Sequence, residues 1–186
     1  MGAAVATRMT HAETAKGRTM IKTGRSLLLA VLIIGTVGCD RVTKHVAQES
    51  LEGMPVQSYF GDTIRLDYAE NTGGFLSMGA NLRPALRSAI FSLGTGLMLV
   101  ALLIVAINFR RRTWCLVGAC LALAGGVSNL FDRIANGAVI DFLNVGLGDH
   151  LRTGIFNVAD VAILAGICII VSSRPAFDHL KRPSEI

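Results

Sequence analysis

The sequence contains few charged residues, and this shortage excludes an ordinary soluble domain. Charged side chains make up 17% of the 186 residues, whereas hydrophobic residues make up 52%. Soluble domains carry about 25% charged residues. With a mean hydropathy of +0.53, the chain is predicted to be an integral membrane protein.

The spacings that build disulfide frameworks and metal centres are also missing. All four cysteines lie in or beside apolar runs, the four histidines are scattered, and neither Cys-x-x-Cys nor His-Glu-x-x-His occurs. We therefore expect no disulfide staple, no metal and no cofactor. The net charge of +5 is attributed to membrane topology, so no nucleic-acid partner is expected.

Four apolar runs predict transmembrane helices at about residues 26–46, 88–109, 114–132 and 155–173. Crossing a bilayer takes about 20 mostly apolar residues. The first run reaches that length only if it continues past Asp40 and Lys44, which would place charge in the membrane. Its Val37-Gly38-Cys39 superficially resembles the end of a lipid-modified leader peptide. Because Thr36 stands where such leaders have Leu or Val, and three more runs follow, a retained helix is the better interpretation.

Basic residues are concentrated in three segments that would face one side of a four-span bundle. These are residues 1–25, the link Arg110-Arg111-Arg112, and residues 174–186, which together hold 11 of the 18 basic residues and 3 of the 13 acidic ones. Cytoplasmic segments carry the excess of Lys and Arg. Both termini are therefore predicted to be cytoplasmic, with residues 1–24 forming a disordered basic tail.

The longer outward segment, about residues 47–87, is predicted to form a small β-sheet, or β-cradle, on the membrane surface. Residues 64–68 alternate apolar and polar side chains, and residues 58–60 suit a partner strand. The backbone around Gly73-Gly74 could hold an extended peptide as an added strand, although an ordinary glycine turn explains these residues equally well. A second outward loop covers about residues 133–154.

Two matched phrases, Asn129-Leu130-Phe131-Asp132 and Asn157-Val158-Ala159-Asp160, stand at the edges of the third and fourth apolar runs. Residues three apart share a helix face, so each phrase would present an amide beside a carboxylate. Topology places Asp132 and Asp160 at a similar depth on the outer side. Two carboxylates within reach of each other share a proton, and such a pair can direct a water at a peptide carbonyl without a metal.

Five ordered blocks make the chain resemble the lipoprotein signal peptidases (signal peptidase II), which are bacterial membrane aspartic proteases. The blocks are Asp40 to Lys44, Asn71 to Phe75, Gly125 to Arg133, Val139 to Phe142 and Phe156 to Asp160. The resemblance implies a single membrane protease domain, about residues 25–173, built as an all-α bundle of four transmembrane helices with an extracytoplasmic β-cradle. It also implies cleavage of diacylglyceryl-modified prolipoproteins just before the lipidated cysteine, by a monomer in the inner membrane with its site near the outer leaflet.

The same resemblance assigns Asp132 and Asp160 as the catalytic dyad. Positions that support the site or contact substrate are Asp40, Lys44, Asn71, Gly74, Asn129, Arg133, Asp141 and Asn157. Three departures from the family pattern affect the pocket rather than the dyad. Gly74 stands where alanine is usual, Ser128 where glycine is common, and Phe75-Leu76 where a small residue followed by Phe is usual.

Two other functional classes compete with a protease. A small proton-coupled transporter would use the acids as a relay and would need a polar lining, yet residues 88–109 and 161–171 contain no charged residue. A non-catalytic membrane protein that binds lipoproteins would tolerate asparagine at either aspartate of the dyad. Substitution of those two aspartates therefore distinguishes a protease from a non-catalytic lipoprotein-binding protein.

Overall fold

The computed structural model describes residues 2–73, 83–148 and 151–173, with side chains from residue 23 onward except those of residues 84 and 85. A boundary between two compact units falls between Leu32 and Ile33, and the packing described here belongs to the unit that begins at Ile33. The elements in chain order are α1 (Gly2–Leu51), β1 (Gln57–Tyr59), β2 (Ile64–Asn71), α2 (Pro84–Asn108), α3 (Thr113–Asn136), β3 (Val139–Leu147), β4 (Leu151–Arg152) and α4 (Val158–Ser172).

Helix α1 begins at Gly2, so it includes the segment that the sequence predicts to be a disordered tail. Residues 2–24 contain no proline and five alanines, and alanine has the highest intrinsic helix propensity. The predicted first span, residues 26–46, lies inside this longer helix. The cytoplasmic placement of the tail stays a prediction.

Among the described residues, three helices are long and apolar enough to cross a membrane: Thr23–Leu51, Leu86–Asn108 and Thr113–Asn136. They correspond to the first three predicted spans. The fourth apolar run forms α4, a shorter helix of 15 residues. At 1.5 Å per residue α4 is about 22 Å long, less than the roughly 30 Å hydrocarbon core of a bilayer. The fourth span therefore stays a prediction.

Helix α3 packs between α2 and α4. Leu102 and Ala106 of α2 meet Ala119 of α3 and Ile170 of α4 in one buried cluster. On the α4 side the two backbones nearly touch, because a Cβ placed on Gly118 would lie 2.6 Å from the carbonyl oxygen of Gly166. Small residues permit this close approach of membrane helices.

Gly125 and Gly126, which precede the first Asn-x-x-Asp phrase, have the same packing role. A Cβ on Gly125 would collide with the backbone carbonyl of Ala159 in α4, and one on Gly126 would lie 2.7 Å from Leu99 of α2. The space beside these glycines is thus filled by neighbouring helices. As a result, the first turn of α4 lies directly against the part of α3 that carries Asn129 and Asp132.

The sheet has four antiparallel strands in the order β1-β2-β3-β4. The predicted pairing of β1 with β2 is present, with Tyr59 opposite Ile64. The other two strands come from the second outward loop, for which the sequence predicted no strand. Residues 139–142 at the start of β3 are all buried, so they lack the alternation that marks a half-exposed strand.

A second apolar cluster joins the sheet to α1. Ala47 and Leu51 of α1 pack with Phe142 of β3, with Leu66 and Tyr68 of β2 alongside. Helix α3 ends at Gly137, which adopts the left-handed conformation (φ 75°) and donates its N–H to the carbonyl of Arg133 at 3.1 Å. Because β3 starts two residues after Gly137, its first residues lie beside the end of α3.

Candidate active site

A cluster of buried polar residues lies where α1, α3, the start of β3 and the start of α4 meet. Each has at most 8% of its surface exposed, and the members are Asp40, Lys44, Ser128, Asn129, Asp132, Asp141 and Asn157. Buried charges are costly unless they are paired and hydrogen-bonded. The ion-pair and hydrogen-bond partners of each residue therefore indicate its role in the site.

Lys44 is the cation at the centre of one half of the cluster. Its Nζ lies 2.7 Å from Asp132 Oδ2, 2.8 Å from Asp40 Oδ2 and 2.8 Å from Asn129 Oδ1. Two of these contacts, to Asp132 and Asn129, are hydrogen bonds, and the contact with Asp40 is an ion pair. The sequence predicted pairing of Asp40 with Lys44, and the structure confirms this pair while extending it to α3.

Asp132 is fully buried and is held by two cations. Besides Lys44, Arg41 forms an ion pair with its other carboxylate oxygen, Oδ1. The Arg41 guanidinium also lies 4.9 Å from the ring centroid of Phe131, within cation–π range. Each oxygen of Asp132 is thus paired with a positively charged side chain.

Asp160 has a different environment, because its partners are neutral and its side chain is half-buried. Asn157 is the N-cap of α4, and the two residues form a capping box. The Asn157 backbone N–H donates to Asp160 Oδ2 at 3.1 Å, and Asn129 Nδ2 donates to Asp160 Oδ1 at 2.8 Å. Among the described residues no basic side chain forms an ion pair with this carboxylate, although Lys44 and Arg133 interact with it electrostatically at longer range.

Asp141, at the start of β3, lies on the other side of Asn157. Asn157 Nδ2 donates to Asp141 Oδ1 at 2.6 Å, and Asn71 Nδ2 donates to Oδ2 at 3.0 Å. Burial, and next the negative charge of Asp160, raise the pKa of Asp141 to about 6, while the two amide hydrogen bonds oppose the rise. Asn157 bonds to both acids and so places Asp141 and Asp160 on either side of one residue.

The structure therefore brings Asp160 together with Asp141 more directly than with Asp132. Asn157 contacts both Asp141 and Asp160 through its side chain and backbone. Asp132 and Asp160, by contrast, are linked through Lys44 and Asn129 in turn, and no hydrogen bond joins their carboxylates within the described residues. The predicted pairing of Asp132 with Asp160 stays a prediction, and these contacts favour Asp141 as the partner of Asp160.

Arg133 supplies positive charge at the edge of the cluster. Its Nη2 donates to the Gly73 carbonyl at 3.0 Å, and its guanidinium lies 5.7 Å from the ring centroid of Phe91. Its other two nitrogens, Nε and Nη1, are buried without a protein partner in the described structure. Asn71 accepts from the Gly73 N–H at 3.1 Å, so Asn71 and Arg133 both hold the chain where the described part of this loop ends.

Nine of the ten site residues named from the sequence lie in this cluster or at its edge, and Gly74 falls outside the described residues. Sequence reasoning missed two contributors, Arg41 and Ser128. Arg41 lies three residues before Lys44, so the two side chains share a helix face, and this spacing is a signal that could have found it. Ser128 was noted as a departure from the family pattern but was given no partner.

Metal binding has no geometric support in this cluster. Within residues 2–73, 83–148 and 151–173, no group of three or more His, Cys, Asp or Glu side chains is placed to hold a metal ion. The chemistry available to the described residues is that of carboxylates, amides and cationic side chains.

Comparisons with known proteins agree with the family resemblance. Residues 32–174 match the family model described as signal peptidase (SPase) II. A lipoprotein signal peptidase of Chlorobium phaeobacteroides is 32% identical over 71% of this chain and 80% of its own length. One from Streptococcus pneumoniae is 25% identical over 77% of this chain and 90% of its own length. In fold, the chain is similar to a bacterial membrane enzyme solved by the in meso method at 2.3 Å, with a TM-score of 0.67, 21% identity, and coverage of 86% of this chain and 94% of that one.

Proposed function

The chain belongs to the signal peptidase II family, and we propose that it removes the signal peptides of bacterial prolipoproteins by aspartic chemistry at Asp141 and Asp160. It is a membrane protease, and its substrates are prolipoproteins. We further propose that the cleaved bond lies just before a diacylglyceryl-modified cysteine. We also propose that the enzyme acts as a monomer.

The observation that carries the mechanism is the position of Asn157 between two acids. It holds Asp141 through its side-chain amide and Asp160 through its backbone N–H. A carboxylate pair of this kind takes up its protons as a unit. Burial raises the pKa of Asp141 to about 6, so Asp141 holds a proton more readily than an exposed aspartate does.

Hydrolysis then needs one water between the two side chains. The ionised member removes a proton from the water as its oxygen attacks the scissile carbonyl, and the protonated member donates to the developing oxyanion. Collapse of the tetrahedral intermediate breaks the C–N bond, and a proton passes to the leaving amine. No covalent enzyme intermediate forms, and the pair regains its single shared proton.

In this proposal Asp132 is a structural acid. It is completely buried and forms ion pairs with two cations, Arg41 and Lys44. The alternative retains the dyad predicted from sequence, Asp132 with Asp160, and the effects of asparagine at the three positions separate the two proposals. Asn129 and Lys44 then connect the structural acid to the reacting one.

The test is cleavage by the full chain, purified in detergent, of a peptide with a diacylglyceryl cysteine and of the same peptide without lipid. We expect cleavage of the lipidated peptide only, and loss of cleavage in Asp141→Asn and Asp160→Asn. Wild-type levels of cleavage in either variant would remove that residue from the mechanism. Equal cleavage of both peptides would show that the lipid is not recognised.

We also propose that α4 is the fourth span, that both termini are cytoplasmic, and that the site lies near the outer leaflet. Apart from Asp160, α4 contains no charged residue, and the three arginines between α2 and α3 favour the cytoplasm. The test places single cysteines at Arg111→Cys or Gly148→Cys in a variant without native cysteines. A membrane-impermeant maleimide added to intact cells should label only the second, and the opposite pattern would invert the topology.

A further inference from the structure

A buried hydroxyl on α3 bonds to a different helix instead of its own. Ser128 is 1% exposed, and its Oγ donates to Asp40 Oδ2 at 2.6 Å. A serine inside a helix commonly bonds the carbonyl one turn earlier or points to solvent. Here the hydroxyl is instead directed at a buried carboxylate of α1.

Asp40 carries this contact on to α4. Its other oxygen, Oδ1, accepts the backbone N–H of Ala159 at 2.8 Å, while Oδ2 also pairs with Lys44 at 2.8 Å. The first N–H groups of a helix have no partner within that helix, and a carboxylate there is favoured by the helix dipole. Asp40 thus anchors the first turn of α4 to α1 and α3.

Ala159 immediately precedes Asp160, so the direction of this N–H and the position of the Asp160 carboxylate are set by the same turn of backbone. The turn has two anchors, the capping box of Asn157 and the Asp40 contact. Lys44 alone does not define the rotation of the Asp40 carboxylate, because its ammonium is a point charge shared with Asp132 and Asn129. The directional contact on Oδ2 comes from Ser128.

We infer that Ser128 is a positioning residue, which holds the Asp40 carboxylate in the rotation that aims Oδ1 at Ala159 and thereby fixes Asp160 for catalysis. The inference rests on the proposed function insofar as it assigns Asp160 to the reaction. The positioning step itself, from Ser128 to the Ala159 N–H, does not depend on what the enzyme cleaves.

The first test compares Ser128→Ala with Ser128→Thr in the cleavage assay. Displacement of a reacting group by about 1 Å can cost about 100-fold in rate, and we expect a smaller shift here, so kcat should fall about tenfold with KM changed less than twofold. Ser128→Thr, which keeps the hydroxyl, should recover most of the kcat. The matched control is Thr95→Ala, which removes a hydroxyl that bonds only within α2, to the Phe91 carbonyl at 2.8 Å, and should leave kcat unchanged.

The second test needs no activity. Hydrogen exchange of the Ala159 amide, followed by NMR in the full chain labelled with ¹⁵N-alanine, should be about tenfold faster in Ser128→Ala than in wild type and near the wild-type rate in Ser128→Thr. Unchanged exchange, or unchanged kcat in a folded Ser128→Ala, overturns the inference. If Ser128→Ala does not fold, Ser128→Cys replaces it, because a thiol is only a weak donor. Wild-type kcat in Ser128→Cys would likewise contradict the positioning role.

The two assays also separate this inference from the proposed function. If the wild type fails to cleave any lipidated peptide, the proposed function fails, while the exchange rates still report whether Ser128 holds the turn. If the wild type cleaves and Ser128→Ala behaves identically in both assays, the positioning role alone is wrong.

Discussion

The two Asn-x-x-Asp phrases have the same spacing but occupy different structural positions. Asn129 and Asp132 lie inside α3, one helical turn apart, whereas Asn157 and Asp160 form the capping box that begins α4. Asp132 is 0% exposed and paired with Arg41 and Lys44, but Asp160 is half-buried and receives only amide N–H groups.

The difference teaches that spacing does not decide which acid is available for chemistry. Asp132 is fully buried, and each of its oxygens is paired with a cation. A carboxylate that receives neutral donors and lies near a second acid, as Asp160 lies near Asp141, can exchange a proton with it. The comparison therefore predicts that Asp160→Asn lowers activity, whereas Asp132→Asn lowers stability.

The largest expected effect is on the proposed pair. Asp141→Asn and Asp160→Asn should each lower kcat/KM about 1,000-fold or more, because each removes an acid–base group worth about 100-fold to 10,000-fold. Thermal unfolding in detergent should show both variants folded. A folded Asp141→Asn variant with wild-type kcat/KM would contradict this pair and favour Asp132 as the second catalytic acid beside Asp160.

Asp132→Asn should instead destabilise the protein. Removing one partner of a buried ion pair costs about 3–5 kcal/mol, since Lys44 and Arg41 would lose the carboxylate they share. The fraction that stays folded should retain measurable cleavage, which the thermal midpoint and an assay normalised to folded protein would reveal. A fully stable but inactive Asp132→Asn would contradict the comparison and support the dyad predicted from sequence.

Two substitutions of Asn157 separate its capping role from its contact with Asp141. Asn157→Ala should lose about 1 kcal/mol of stability with the N-cap, whereas Asn157→Ser should keep the cap. Both lack the amide that donates to Asp141, so both should cleave more slowly. Equal stability of the Ala and Ser variants would show that the cap contributes little to folding.

The smallest expected effect is a shift in pH dependence. Asn71 donates to Asp141 and lowers its pKa, so Asn71→Ala should raise that pKa further. One hydrogen bond of about 1 kcal/mol corresponds to roughly 0.5–1 pH unit. The limb of the kcat/KM profile that reports deprotonation of Asp141 should therefore move from near pH 6 to higher pH, and movement to lower pH would contradict the assignment.

Much of the fold and the site could be predicted along the chain. Long apolar runs identified three helices that are able to span a membrane, and alternation in residues 64–68 identified β2. The strand character of residues 139–147 was missed, because burial on both faces removes the alternation that marks a strand. The helix through residues 2–24 was missed because that segment has no apolar face, although its residues have helix propensity.

The sequence by itself determined that this is a membrane protein of the signal peptidase II family, because long apolar runs and family motifs are local features of the chain. Through the resemblance to that family it also supplied ten candidate site residues. Only the tertiary structure decided how those residues are paired. Arg41 reaches Asp132, Ser128 reaches Asp40, and Asp141 comes within the electrostatic reach of Asp160 because β3 and α4 converge on Asn157. Such pairings depend on distances between elements that are far apart in the chain, and residue spacing within one element does not specify them.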